Sequence, residues 1–147
     1  MKLKKNYLFF NVNNIRQDIE VILICKTKKI LPVFCIKFFL IDGFGPDWII
    51  EFRNLLLKKF NKRDFKILVD CRKNYGLFIN LVQQKIDFLQ INVDTKTLFR
   101  LKNIAKKNKV TVNHKISIIN LANIKNIKLK IQKIYKLYIN KGIKCQN

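Results

Sequence analysis

Short apolar runs and helical-period stripes take turns along this chain. Tyr7–Val12 (YLFFNV) and Glu20–Cys25 (EVILIC) are rich in β-formers and predict strands. Lys29–Asp42 predicts a further strand from its Val33–Ile36 and Phe38–Ile41 runs, with Pro32 at its start or edge. Lys26 to Lys29 read as a polar turn of the kind that joins a hairpin, which makes this N-terminal region antiparallel. Gly43-Phe44-Gly45-Pro46-Asp47 then interrupts the pattern. Pro46 suits the first helical position, where its missing N–H costs nothing. Asp47 suits the positive end of the helix dipole. Ile49, Phe52, Leu56 and Phe60 follow at helical spacing.

The middle alternates more regularly. Phe65–Val69 predicts a buried strand ending at Asp70-Cys71. Leu77, Phe78, Leu81 and Val82 mark a helix, and Phe88–Ile91 a second strand. Asp94 or Thr95 caps the next helix, with Leu98, Leu101, Ile104 and Ala105 inward, and Val110–Val112 is a third strand. Short connections between alternating strands and helices imply right-handed crossovers and a parallel sheet. From about Ile119 to Asn140 a narrow seam of Ile124, Ile127, Ile131, Ile134 and Tyr138 predicts a long basic amphipathic helix. The expected fold class is therefore α/β: a small three-layer domain over 1–118, with a partly parallel sheet and N-terminal antiparallel strands. Residues 119–147 form a basic C-terminal helix and tail whose removal is expected to leave a folded domain.

Charge changes the picture. The chain has 147 residues, 31 Lys+Arg against 9 Asp+Glu, and a net charge of +22. Self-repulsion of that size disfavours an isolated globule, and a polyanionic partner relieves it. With 49% apolar residues and 12 Phe, the chain is no disordered basic tail. Only Arg16, Arg53, Arg63, Arg72 and Arg100 are arginines; the rest of the basic residues are Lys. Lys, Ile, Asn and Phe have A/T-rich codons, so drift in an AT-rich genome enriches them too, though drift alone would not strip out the acids. No Asp or Glu follows Asp94, while Lys and Arg continue to the end. Arg100, Lys102, Lys106, Lys107, Lys125, Lys128, Lys133 and Lys136 are the candidate RNA-binding residues. Lysine is a point charge with little base selectivity, so recognition of backbone and shape is expected.

Other chemistry is sparse. Asp42, Asp70 and Asp94 each fall at a predicted strand end, where parallel α/β sheets bind ligands, and together could hold Mg²⁺ for phosphodiester hydrolysis; helix capping and turn formation explain them as well. Cys25, Cys35, Cys71 and Cys145 form no closely spaced pair, and His114 is the lone histidine, so neither a zinc site nor a thiol nucleophile is expected. No catalytic residue, metal or cofactor is assigned. Gly43-Phe44-Gly45 lacks the third glycine of a dinucleotide loop. Gly76 is expected to permit close packing, and Trp48 to pack in the core rather than stack on a base. No run reaches the ~20 apolar residues of a spanning helix, so the chain is not expected to be transmembrane.

From Pro32 to Ala122 the order of landmarks is Pro32-Val33, Gly43-Phe44-Gly45-Pro46-Asp47-Trp48, Asp70-Cys71, Gly76, Ile104-Ala105 and Leu121-Ala122. This resembles a group of small uncharacterised alphaproteobacterial proteins with a Gly-x-Gly-Trp turn and an Asp-Cys strand end. The resemblance implies mitochondrial ancestry and carries no activity. In composition the chain is similar to organelle-encoded mitochondrial ribosomal proteins. The start MKLKKNYLFFNVNN has neither a signal-peptide core nor an Arg/Ser-rich presequence, which fits synthesis inside the organelle. The expected function is thus that of a structural, non-enzymatic component of the mitochondrial ribosome, in the matrix, bound to ribosomal RNA and neighbouring ribosomal proteins. The alternative is an accessory or assembly subunit of a respiratory complex or ATP synthase, its basic face on anionic lipid or an acidic subunit. A metal-dependent nuclease ranks below both.

Overall fold

A computed structural model describes residues 6–144. The elements in chain order are β1 (Tyr7–Asn11), α1 (Ile15–Thr27), β2 (Leu31–Ile36), α2 (Phe38–Phe44), α3 (Asp47–Leu57), β3 (Lys66–Asp70) and α4 (Tyr75–Gln83). They continue with β4 (Phe88–Gln90), α5 (Thr95–Lys107), β5 (Thr111–Val112), β6 (Ile118–Ile119) and α6 (Ile127–Lys144). The strands form one sheet in the order β5-β4-β3-β2-β1-β6, and every pairing is parallel. The α/β class and the parallel pairing of β3, β4 and β5 match the sequence reading.

The N-terminal antiparallel strands do not form. Glu20–Cys25 lies inside α1, and Phe38–Ile41 inside α2. In α1 the Asn14 side chain caps the helix by accepting from the Gln17 N–H at 2.9 Å, and Asp18, Val21, Ile22 and Cys25 make one buried stripe. That stripe satisfies the helical period better than the strand period. The turn at Lys26 to Lys29 therefore joins a helix to a parallel strand, not two strands of a hairpin. Pro32 lies within β2, a strand with neighbours on both sides. Leu31 donates its N–H to Asn6 on the β1 side at 3.0 Å, so the position of Pro32 faces the other way. There the β3 ladder begins only at Val33, and the missing donor costs no bond.

Two clusters of apolar side chains divide the sheet. The larger joins Leu8, Phe10, Phe34, Ile36, Ile67, Val69 and Leu89 to buried residues of all six helices. The smaller contains Phe9, Val33, Cys35, Leu68 and Phe88, with Tyr7 and Ile116 against it, and no helical residue. Among the described residues the helices thus lie on one face, and the second helix layer of a three-layer domain is absent. Consecutive strands laid down in one direction by crossovers of one hand put every helix on the same side.

The helix-free face is concave. Neighbouring strands are ~4.8 Å apart, so β1 and β4 would be ~14 Å apart in a flat sheet. Yet the rings of Tyr7 and Phe88 meet at 5.4 Å and those of Phe9 and Phe88 at 5.8 Å, both edge to face. The connection from β5 to β6 agrees. A flat sheet would separate these edges by about 24 Å, but the chain from Val112 to Ile118 reaches at most ~22 Å when fully extended. It is not fully extended, since Asn113 has φ 50°. The sheet curls until residues 113–117 cross its hollow, with His114 stacked on Phe9 at 5.7 Å.

Three helices end in the same turn. Ile30, Ile86 and Val110 donate backbone N–H groups to Cys25, Leu81 and Ala105, five residues back. The residue before each, Lys29, Lys85 or Lys109, has positive φ. This is the Schellman arrangement, with lysine where glycine is usual and a buried apolar residue locking the turn.

The C-terminal helix begins at Ile127, later than the sequence pattern places it, because Ile118 and Ile119 form β6 beside β1. It is part of the main core: Leu121, Ile127 and Ile131 are buried there, and α6 packs on α1. Tyr135 replaces Tyr138 in the seam, with the Lys28 ammonium 5.0 Å from its ring. Tyr138 is 55% exposed. A straight helix drifts off a strict seven-residue repeat by ~20° per heptad, and the inner face moves with it.

Candidate nucleic-acid interface

The α5 helix starts at Asp94, whose carboxylate accepts from the Thr97 N–H at 2.9 Å and the Thr97 hydroxyl at 2.7 Å. Those bonds hold the carboxyl below its ordinary value, the Thr97 hydroxyl foremost. Leu101 and Ala105 are buried and Leu98 is half-buried, while Ile104 is exposed and takes no part in the inner face assigned to it. The outer surface carries Lys96, Arg100, Lys102, Lys106 and Lys107, all exposed, with no acid anywhere in the helix. Lys106 and Lys107 lie in the last turn, where the helix dipole favours cations. Lys102 and Lys106, four residues apart, repel.

The second set lies on and before α6. Asn126 caps this helix by accepting from the Leu129 N–H at 3.0 Å. With Ile127 and Ile131 turned to the core, Lys128, Lys133 and Lys136 face solvent, as does Lys125 in the preceding turn. All eight residues selected from the sequence are exposed. None has a carboxylate partner: among the described residues the salt bridges are Lys26–Asp64 and Lys66–Asp87. The fold gathers them into two groups. α5 packs beside β5, at one end of the strand order, and α6 packs on α1, toward the other.

Phe99 was missed by the sequence reading. It is 68% exposed, in the middle of the α5 lysines. At about 100° per residue it points within roughly 40° of the direction opposite the Leu101–Ala105 stripe. That helical phase was the available signal.

The carboxylates considered for a metal are not brought together. Asp42 lies inside α2 and is exposed, not at a strand end. Asp70 ends β3, and its Oδ1 accepts from the Arg72 N–H at 2.9 Å. Asp94 is the α5 cap. Among the described residues no three His, Cys, Asp or Glu gather in a group able to hold a metal ion. Cys25, Cys35 and Cys71 are buried and free, their thiols pushed up to about 12 by desolvation; Cys145 lies outside the described residues. Trp48 is half-buried, stacked between Phe44 and Phe52. Gly76 is exposed, and a Cβ there would meet only Asn74 Oδ1 at 3.6 Å, so close packing does not explain it.

One buried group is conspicuous. Asp18 is 2% exposed, its Oδ2 has no hydrogen-bond partner, and desolvation raises its pKa from 3.8 to about 7. Asn11 Oδ1 and Gln17 Oε1, on the same β1–α1 unit, are also buried acceptors without donors.

Among the described residues no helix is long and apolar enough to cross a membrane. Comparison with known protein families, with curated proteins and with solved structures finds no match for this chain.

Proposed function

We propose that this protein is a structural component of the mitochondrial ribosome, made within the organelle, which holds ribosomal RNA through backbone contacts from α5 and α6. The observation that carries this reading is the exposure, without carboxylate partners, of Arg100, Lys102, Lys106, Lys107, Lys125, Lys128, Lys133 and Lys136. Phosphates supply the anions the chain lacks, and release of their counterions makes such binding strongly salt-dependent. No catalytic role is part of the proposal: among the described residues Asp42, Asp70 and Asp94 form no group able to hold a metal ion, and Asp70 Oδ1 and the Asp94 carboxylate accept bonds in a turn and a cap.

A second reading rests on the end of α6. Leu137, Tyr138 and Ile139 are exposed where the helix outruns the core. An apolar surface of this kind suits a protein neighbour. In a ribosome that neighbour is another ribosomal protein; otherwise it is a subunit of a respiratory complex or ATP synthase, with the lysines on anionic lipid or an acidic subunit. Sedimentation of detergent-solubilised mitochondria decides between them. Co-migration with a ribosomal subunit, abolished by ribonuclease, is the expected result. Co-migration with a respiratory complex that survives ribonuclease would overturn the ribosomal reading.

A further inference from the structure

The described residues expose three phenylalanines, in different surroundings. Phe39 and Phe44 lie on α2 with Asp42 between them, and Phe44 already stacks on Trp48 at 6.0 Å. Phe99 lies on a helix with no carboxylate, and no aromatic ring among the described residues pairs with it. Its helical neighbours three and four residues away include Lys96, Lys102 and Asn103, and Lys106 lies one turn beyond Lys102. An open ring framed by cations offers both parts of a single-strand site, a face for a base to stack on and charge for the flanking phosphates.

We infer that α5 is a platform for unpaired RNA, on which one base stacks on Phe99 while Lys96, Lys102 and Lys106 hold the phosphates on either side. The inference rests on the RNA-binding proposal and narrows it to single-stranded segments or loops. A duplex keeps its bases in the stack and presents only phosphates and grooves, so it meets the lysines without engaging the ring. Stacking is tolerant of base identity, because every base has a π-face. Asn103 supplies an amide donor and acceptor beside the ring.

The test uses the full chain and two fluorescent probes, a short oligouridine and an RNA duplex of equal phosphate count, read by anisotropy at one salt concentration. Phe99→Ala should weaken oligouridine binding about tenfold, the scale of one lost base–aromatic stack, and leave duplex binding unchanged. Phe99→Trp should restore oligouridine binding. Lys102→Ala with Lys106→Ala should weaken both probes alike. If Phe99→Ala leaves oligouridine binding intact while both probes still bind, the stacking platform is wrong and the RNA proposal survives. If the wild-type chain binds neither probe at low salt, both fail together.

Discussion

Tyr7 on β1 and Phe88 on β4 meet edge to face with ring centroids 5.4 Å apart, although two strands lie between them. That contact pins the curl of the sheet. Phe88 also touches Phe9 and His114, so one side chain joins the first strand, the fourth strand and the crossing segment. Phe88→Ala should destabilise the fold by about 3–5 kcal/mol, the usual cost of emptying a large aromatic site, measured by urea unfolding. A loss below about 1 kcal/mol would mean the hollow collapses without it and the curl has another cause.

Asp18 gives stability a pH dependence of definite sign. Burial holds its folded pKa at about 7 against an ordinary value of 3.8. The folded state therefore keeps a proton that the unfolded chain releases. This group's contribution is most favourable below about 3.8, declines as pH rises, and levels off above about 7, at no more than ~1.4 kcal/mol per pH unit. Asp18→Asn should match the wild type at about pH 4 and exceed it at about pH 8, roughly the two ends of that window. Thermal melts across the range check this. A stability difference constant with pH would show that Asp18 titrates alike in the folded and unfolded chain, and so is not held protonated by burial.

The αL lysines are strained by their backbone. Lys85, with φ 55°, occupies a helix-end position that glycine accepts freely. Lys85→Gly should stabilise by about 0.5–1 kcal/mol, since relief of αL crowding outweighs the added freedom of the unfolded chain. Gly76→Ala should stabilise by a similar ~0.5–1 kcal/mol, because the site is helical and open. Gly45→Ala, at φ 80°, should do the reverse. Chemical denaturation of the three variants gives the signs directly.

Salt reads out the lysines. Each Lys→Ala change among Lys102, Lys106, Lys128 and Lys133 should reduce RNA affinity modestly and flatten the log–log salt slope by roughly 0.7–0.9 per lost contact. The effect should depend little on RNA sequence. If the slope stays put for all four and falls for Arg16 variants, the RNA lies on a different face.

The sequence exposed some of this organisation and concealed the rest for physical reasons. β3, β4 and β5 were legible because each is a compact apolar run between polar boundaries. Glu20–Cys25 was misread because its β-branched residues satisfy strand propensity; the Asn14…Gln17 pair, an N-cap signal three residues apart, was the clue to a helix. β6 is only Ile118–Ile119, too short to show any period. The eight cations could be listed from charge alone. Their division between α5 and α6, at opposite ends of the strand order, follows from the topology, which required the position of β6. Phe99 falls between two searches: it lies off the apolar stripe of its helix, and it carries no charge.

The placement of β6 also bears on synthesis. β1 precedes every other strand in the chain, and β2 soon covers one of its edges. The other edge waits for Ile118 and Ile119, which come near the end of the described chain. Until then the nascent polypeptide carries a bare, phenylalanine-rich strand edge of the kind that pairs with foreign strands. A chain truncated before Ile118 would keep that edge open permanently and would lose Leu121, Ile127 and Ile131 from the main core; one truncated before Leu121 would keep β6 and lose the same three. The sheet therefore cannot close until Ile118 and Ile119 have been made, and a chain stopped short of them should aggregate rather than yield a smaller working domain.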